Sequence, residues 1–271
     1  MIIKRINLQF TMSISIVSLA SGSKGNCTLV FSDSTAILVD AGIAYSRINS
    51  ELRRFGLTTA KLDGVVVTHE HADHIAALPK LGRDTKVYAH PKTADAILKR
   101  QGELHGYTEV DFYEGGFTVG DIEVIPFRIP HDAVYPLGYS FRLKTGAQVS
   151  VATDMGRPTV GVYNNIRESE AVLLEANHDV AMLKSGSYPE PLKRRILGDL
   201  GHLSNDMTAL FAERLTGSAV RTMLLGHLSE NNNLPELALG AVTGRLQGRG
   251  CADISVAVAS QHFASEVYEV K

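Results

Sequence analysis

Seven consecutive residues, Thr68-His69-Glu70-His71-Ala72-Asp73-His74, constrain this chain more than any other stretch. They follow the apolar run Val65-Val66-Val67 and lead into Ile75-Ala76-Ala77-Leu78, so a buried strand ends abruptly in three imidazoles and a carboxylate. Such groups repel one another as cations and are costly to bury unpaired, which means something must hold them together. A divalent metal does so, because neutral imidazole nitrogens and ionised carboxylates are preferred ligands of zinc and similar ions, and H-x-H-x-D-H offers enough of them for two ions. His69 and His71, two apart on extended backbone, can point to one side, while Asp73 and His74 fall where a helix begins and can turn to a neighbouring ion. The alternative is a polar strand-to-helix turn with scattered histidines.

The chain is 271 residues long and 44% hydrophobic, enough for a sizeable core, and no linker, low-complexity tract or charge run divides it. We therefore expect one domain over residues 1–271, with 1–11 as an extension if Met12 is the true start. A net charge of −2 and a pI near 6.6 argue against a generally basic nucleic-acid coat protein, although a local basic patch is still allowed. Cys27 and Cys251 lie far apart without C-x-x-C spacing, which predicts neither a disulfide framework nor a zinc ribbon and fits a reduced cytoplasm. The apolar run Ile6–Ala20 is interrupted by Asn7, Gln9, Thr11, Ser13 and Ser15, so it reads as an alternating strand rather than a signal peptide, and nothing is long enough to span a membrane.

Taken in order, the pattern predicts a strand over 13–19, a loop Ser21-Gly22-Ser23-Lys24-Gly25-Asn26, and a hairpin of strands 27–31 and 35–39. The loop's amides could form an anion-binding nest or a plain turn. A helix from Tyr45 to Phe55, stopped by Gly56, precedes the histidine-rich segment. Strand 86–89, a helix opening at Pro91, and two strands joined by the turn signal Gly120-Asp121 follow, with His90 and His105 read as surface or capping residues. The second half places His131 after a strand, Asp154 at the end of the buried run 149–153, a buried strand 171–175, a polar basic stretch 184–195, a helix 206–215 capped by Ser204 or Asn205, a strand 221–225 ending near His227, a helix 235–246 and closing strands 254–259 and 263–270. Asp154 alone could equally be an N-cap. Two β-rich halves with intervening helices would bury two sheets against each other with helices outside, an α/β fold.

The heptad Thr68–His74 resembles the signature of the metallo-β-lactamase fold superfamily. The strings Ser21–Cys27, Glu175-Ala176-Asn177-His178-Asp179, Gly201-His202-Leu203-Ser204-Asn205 and His227-Leu228-Ser229-Glu230-Asn231-Asn232 narrow the likeness to its YycJ-like, or WalJ-like, branch, over nearly the whole chain from about residue 13. The resemblance implies a four-layer αββα sandwich of two mixed sheets, with a dinuclear site along one edge. It implies His69, His71 and His131 for one ion, Asp73, His74 and His227 for the other, and Asp154 shared. It also implies a cytoplasmic nuclease with 5′-to-3′ exonuclease activity on DNA, working with manganese; zinc and iron accept the same ligands. The short interval from Asp154 to His227 has no room for the large inserted domain of related RNA-processing enzymes.

Two divalent ions, less two aspartates and a hydroxide, leave about +1 facing the substrate, which favours an anion. Coordination lowers the pKa of water from near 16 to about 7, and a paired site steadies the attacking and leaving oxygens of a phosphate in line. No G-x-G-x-x-G or P-loop points to other chemistry. We expect Asp73 and His202 to act in catalysis. Ser23, Asn26, His178, Tyr188, Arg195, Ser204, Asn205, Ser229 and Asn232 are candidates for holding substrate, with Lys184 and Lys193–Arg195 along the strand's backbone and Tyr135 and Tyr188 as stacking platforms. DNA is favoured over RNA as partner, and no obligate protein partner is evident. The competing readings are a small-molecule ester, thioester or lactam hydrolase, for which the basic stretch is merely a solvated face, and a metal-stabilised binding module without turnover.

Overall fold

The structure is a computed structural model that describes residues 12–110, 115–250 and 253–271; the expected extension over 1–11 and Cys251 lie outside them. Alternation of apolar residues along the strands decides the layering. In β1 (Ile14–Ala20), Ile14 and Ile16 face one core while Val17 and Leu19 face another, the period of two expected of a strand covered on both sides. The same split recurs in β3 (Ala36–Val39), which follows β2 (Cys27–Ser32), and continues through β4 (Gly64–Val66), β5 (Val87–Tyr88) and β6 (Tyr107–Thr108). The second sheet is built from β7 (Phe117–Val119), β8 (Ile122–Arg128), β9 (Leu137–Arg142), β10 (Gln148–Ala152), β11 (Ala171–Glu175), β12 (Thr222–Gly226) and β13 (Ser255–Val258).

Both sheets contribute to a central core that includes Ile14, Ile37, Val66, Tyr139, Phe141, Val149, Leu173 and Leu224. The outer face of the first sheet buries helices α1 (Tyr45–Arg53), α2 (Ala72–Ile75) and α3 (Pro91–Gln101) through Ile48, Leu52, Ile75 and Ile97. The outer face of the second buries α4 (Val160–Ile166), which is followed by α5 (Val180–Ser185) and α6 (Glu190–Leu197), and then α7 (Asn205–Arg214) and α8 (Pro235–Gln247), through Val162, Phe211, Ala212 and Val242. This is the αββα sandwich expected from the sequence.

Two local expectations are corrected and one open alternative is decided. The last strand is short: β14 (Tyr268–Val270) pairs antiparallel with β1 and so returns to the first sheet, giving orders β14-β1-β2-β3-β4-β5-β6 and β13-β12-β11-β10-β9-β8-β7. The residues ahead of it are drawn off because Gln261 braces the loop after β1, accepting from Lys24 N at 2.8 Å and donating to Gly25 O at 2.8 Å. The basic stretch 184–195 runs into α6, which ends at Leu197, tolerates Pro191 in its first turn and buries Ile196. Of the two alternatives for the loop 21–26, the plain turn is favoured over the anion nest, since most of its amides are engaged: Gly22 N donates to Asn26 Oδ1 at 2.9 Å, Lys24 N to Gln261 Oε1 at 2.8 Å, Gly25 N to Gly22 O at 3.1 Å, and Asn26 N to Asp73 O at 2.8 Å.

Candidate metal centre

The site forms where strand ends from both sheets meet, and three of its residues have left-handed backbone: Asp40 after β3 (φ 61°), Asp154 after β10 (φ 60°) and His227 after β12 (φ 56°). Non-glycine residues rarely hold this conformation, and each such position costs on the order of 1–3 kcal/mol. The turn Asp40-Ala41-Gly42 supports α2: Ala41 N donates to His74 O at 2.8 Å, and a Cβ on Gly42 would sit 1.6 Å from Asp73 O, so only glycine fits.

The side chains converge as expected. His69, His71 and His131 form one group whose candidate ligand atoms lie within 4.8 Å of one another; Asp73, His74 and His227 form another, and Asp154 joins His69 and His74. Neighbouring donor atoms stand at nearly constant spacing. His71 Nδ1 to His131 Nε2 is 3.3 Å, His74 Nε2 to Asp73 Oδ2 and to Asp154 Oδ2 is 3.4 Å each, and His227 Nε2 is 3.4 Å from Asp73 Oδ2 and 3.3 Å from Asp154 Oδ1. Ligand atoms arranged tetrahedrally about 2.1 Å from a cation are separated by about 3.4 Å, so the set fits a divalent ion. Two fully buried atoms reinforce this: His69 Nε2 and Asp154 Oδ2 have no hydrogen-bond partner, a cost that a cation would remove.

A second ring of side chains fixes the imidazoles. Asp40 Oδ2 accepts from His74 Nδ1 at 2.7 Å and from Thr68 Oγ1 at 2.8 Å, while Asp40 Oδ1 accepts from Thr68 N at 2.8 Å. Gly201 O accepts from His131 Nδ1 at 3.1 Å. Glu175 Oε1 accepts from His202 Nδ1 at 2.7 Å and from His227 Nδ1 at 3.1 Å, and its Oε2 accepts from Met155 N at 2.8 Å. With Nδ1 engaged, the Nε2 atoms of His74, His131 and His227 are left for the centre. Asp40, Glu175 and Asn177, which donates to His227 O at 2.8 Å, are absent from the sequence-derived site, although the first two share the signal that exposed Asp154, a carboxylate closing a buried strand.

Electrostatics divide the two halves. Burial pushes His69, His71 and His131 below the usual imidazole range, which leaves neutral ligands. Burial acts the same way on His74 and His227, but the carboxylates of Asp154 and Asp73 outweigh it, lifting His74 well up and His227 to about 10. Burial would raise Asp73, yet His74 and His227 hold it well below the usual carboxylate range. Glu175 is held at about 2, burial being outweighed chiefly by His202.

A cleft of about 220 Å³ opens onto this centre, and of the expected substrate residues it takes Ser23, Tyr188, Arg195 and Ser229 as lining, together with His202. Arg195 is gripped by Asp132, Nε to Oδ2 at 2.5 Å and Nη2 to Oδ1 at 3.0 Å. The others serve different ends. Asn26 Nδ2 donates to Asp73 Oδ2 at 3.3 Å, so it orients a candidate ligand. Ser204 caps α7 by accepting from Met207 N at 3.2 Å, and Asn205 exchanges amide hydrogen bonds with Asn233 at 2.8 and 2.9 Å. Asn232 is buried against Ser229, and His178 is buried with neither ring nitrogen hydrogen-bonded, its pKa pressed to about 4 by burial. Lys193 is also turned away from any strand, donating to Lys184 O at 2.7 Å and pairing with Glu190. Tyr135 cannot stack a base: the His90 ring lies 3.4 Å from its centroid at 7° and the Arg128 guanidinium 3.8 Å from it, which requires one on each face. His90 also caps α3, as expected.

The family model for the beta-lactamase superfamily domain matches residues 35–228, which span the whole of this ligand set from His69 to His227. The chain is 37% identical over 242 residues to the exodeoxyribonuclease YycJ of Bacillus anthracis, covering 88% of this chain and 91% of that one. It is 38% identical over 245 residues to the exodeoxyribonuclease WalJ of Streptococcus pneumoniae (strain D39), covering 89% and 90%. The chain belongs to the beta-lactamase superfamily, in its YycJ-like branch. Among solved structures of this fold, YhfI of Bacillus subtilis superposes with a TM-score of 0.66 at 16% identity, covering 95% of this chain and 99% of that one. A diphosphatase of the PhnP family gives 0.63 at 18%, covering 96% and 98%. As in the rest of this superfamily domain, the His and Asp clusters suit divalent metal ions. Among the described residues no helix is long and apolar enough to cross a membrane.

Proposed function

We propose that this chain is a metal-dependent phosphodiesterase acting as a 5′-to-3′ exonuclease on DNA in the cytoplasm, with two manganese ions. The observation that carries the reading is the identity of 37–38% to two exodeoxyribonucleases over about nine tenths of the chain, joined to a cleft lined by His71, Asp73, Asp154 and His227 of the seven clustered candidate ligands. His69, His71, His131 and Asp154 would hold one ion and Asp73, His74, His227 and Asp154 the other. Bound divalent ions supply Lewis acidity toward a phosphoryl oxygen and make water acidic enough to deprotonate near neutral pH.

The protein's own groups do the rest. Arg195, held by Asp132, presents a fixed charge to a phosphate oxygen, and Tyr188 offers a ring to the terminal base. Asp73 is kept ionised by its histidine neighbours and so stands ready as an anionic ligand at the mouth of the cleft. His202 Nδ1 is tied to Glu175, which fixes the ring so that its other nitrogen can pass a proton to the leaving oxygen.

Digestion of 5′- and 3′-labelled DNA and RNA by protein loaded with manganese, zinc or iron tests this. Mononucleotide release from DNA is expected, greatest with manganese. Turnover of a thioester or lactam without any nucleotide release would replace the reading with a small-molecule hydrolase. Asp73→Asn should abolish hydrolysis while the circular dichroism spectrum is unchanged; intact cellular function in that variant would point to a binding module.

A further inference from the structure

A second cavity exceeds the cleft in volume. A hollow of about 500 Å³ lies beside α4, lined by Arg157, Thr159, Val160, Tyr163, Phe211 and Arg214. It is close to the candidate centre along the chain, because Arg157 follows Asp154 by three residues. It is also close in space. Gly156 N donates to Pro130 O at 2.9 Å, and a Cβ on Gly156 would sit 2.3 Å from Asp199 C, so the 154–157 segment runs directly beneath the 198–202 loop. That loop in turn carries His202 and, through Gly201 O, the partner of His131. The hollow and the cleft therefore lie on either side of one short loop.

Its chemistry is that of a phosphate-and-base receptor. Two guanidinium groups line it in a protein whose net charge is −2, and they supply fixed positive charge suited to bidentate contact with phosphate. Arg157 has only a 3.8 Å approach from Asp199, both being well exposed, so it is free to turn to a stronger anion. The nearby Glu213 is engaged on the far side by Arg245 and Arg249, and Glu168 by Arg167 at 2.9 Å, so neither opposes an anion in the hollow. Tyr163 lines the hollow, with the Arg167 guanidinium 5.7 Å from its ring centroid. Val160 lines the hollow with 76% of its surface exposed, an apolar face available to a base. A volume of about 500 Å³ matches a nucleotide and has room to spare.

We propose that this hollow is a second nucleic-acid subsite that holds a nucleotide of the substrate strand outside the cleft, its phosphates at Arg157 and Arg214 and its base against Tyr163 and Val160. The proposal rests on the nuclease reading for the identity of the strand. The subsite anchors a strand whose end lies in the cleft, so it governs grip on long strands and leaves the bond-breaking step alone.

Tyr163→Trp gives a single reporter, since the chain has no tryptophan. Titrating this variant in EDTA with oligothymidylates of increasing length, and separately with free thymidine 5′-monophosphate, reads occupancy directly. Quenching that requires a strand of several nucleotides is expected. Quenching by the free nucleotide at equal concentration would assign the hollow to a mobile nucleotide instead and overturn the strand proposal, as would no quenching by either. In the second arm, Arg157→Ala/Arg214→Ala is compared with the parent protein. Binding of a 20-mer should weaken about tenfold, and the slope of log K against log salt should flatten by about 1.4, the share of two single-strand phosphates. Turnover of a dinucleotide should be unchanged. Unaltered binding and salt slope would overturn the proposal while leaving the nuclease reading intact, whereas absence of dinucleotide and strand hydrolysis by the parent protein would count against the nuclease reading alone, because the EDTA arm needs no turnover.

Discussion

Glu175 Oε1 accepts hydrogen bonds from two imidazoles at once, 2.7 Å from His202 Nδ1 and 3.1 Å from His227 Nδ1. One carboxylate thereby sets the tautomer of a candidate proton donor and of a candidate ligand. Glu175→Gln keeps the shape but loses the charge that holds both rings. We expect kcat to fall about 10²–10³-fold, His202→Ala to fall by a similar factor, and the double variant to fall little further, since the two act as a unit. Steady-state kinetics of all three variants check this, and additive losses would separate the residues.

Cation uptake should expel protons. His227 keeps its proton up to about pH 10 because Asp154 and Asp73 outweigh the opposing effect of burial, yet only the neutral ring can ligate. Proton competition therefore weakens binding throughout the range below about pH 10 and fades as pH rises through it. Titration calorimetry of chelator-stripped protein at pH 7 in buffers of differing ionisation enthalpy should show net proton release, and heats independent of buffer would contradict the assignment.

Asp40 touches no candidate ion position but orients His74 from a wholly buried site. Asp40→Asn should cost 10–100-fold in metal affinity, as removal of such outer partners typically does. Competition against a chromophoric chelator measures it directly.

Cys27 is fully buried, and burial pushes its thiol far above the ordinary range, with Asp40 adding to the effect. It should resist thiol reagents in the native protein and react only on unfolding. Peptide mapping after labelling distinguishes it from Cys251.

Tyr139 joins the two sheets at the site's floor: its hydroxyl donates to Val67 O at 2.7 Å from within the central core. Tyr139→Phe should cost about 1–3 kcal/mol by leaving that buried carbonyl unpaired, and Phe141→Ala about 3–5 kcal/mol through the cavity it creates. Urea denaturation monitored by circular dichroism provides both values.

Strand alternation, Gly56 after α1, Pro91 opening α3 and the dense histidine cluster are local signals, and they make the layers and the four ligand candidates of the 69–74 segment legible, whereas His131, Asp154 and His227 are reached through the family resemblance. What escaped depends on tertiary partners. Asn26, Asn205 and Asn232 are small polar residues near the site in sequence, but their hydrogen bonds are spent on structure, whereas the cap that Ser204 gives α7 is one of the two the sequence offers. Glu175 reads as the plain end of a buried strand until His202, which lies 27 positions away, is brought beside it. Helices α4, α5 and α6 are only 7, 6 and 8 residues long, too short for a helical period to stand out, and the return of β14 to β1 is a pairing across almost the full chain length that no local pattern encodes.

The left-handed backbone at Asp40, Asp154 and His227 sets durability against chemistry. Glycine would relax the torsional penalty at each, and at Asp154 it would also remove a desolvated carboxylate, so a variant library screened purely for heat resistance should erode these three positions early. Their retention in any thermostabilised descendant would have to be enforced by selecting for turnover at the same time.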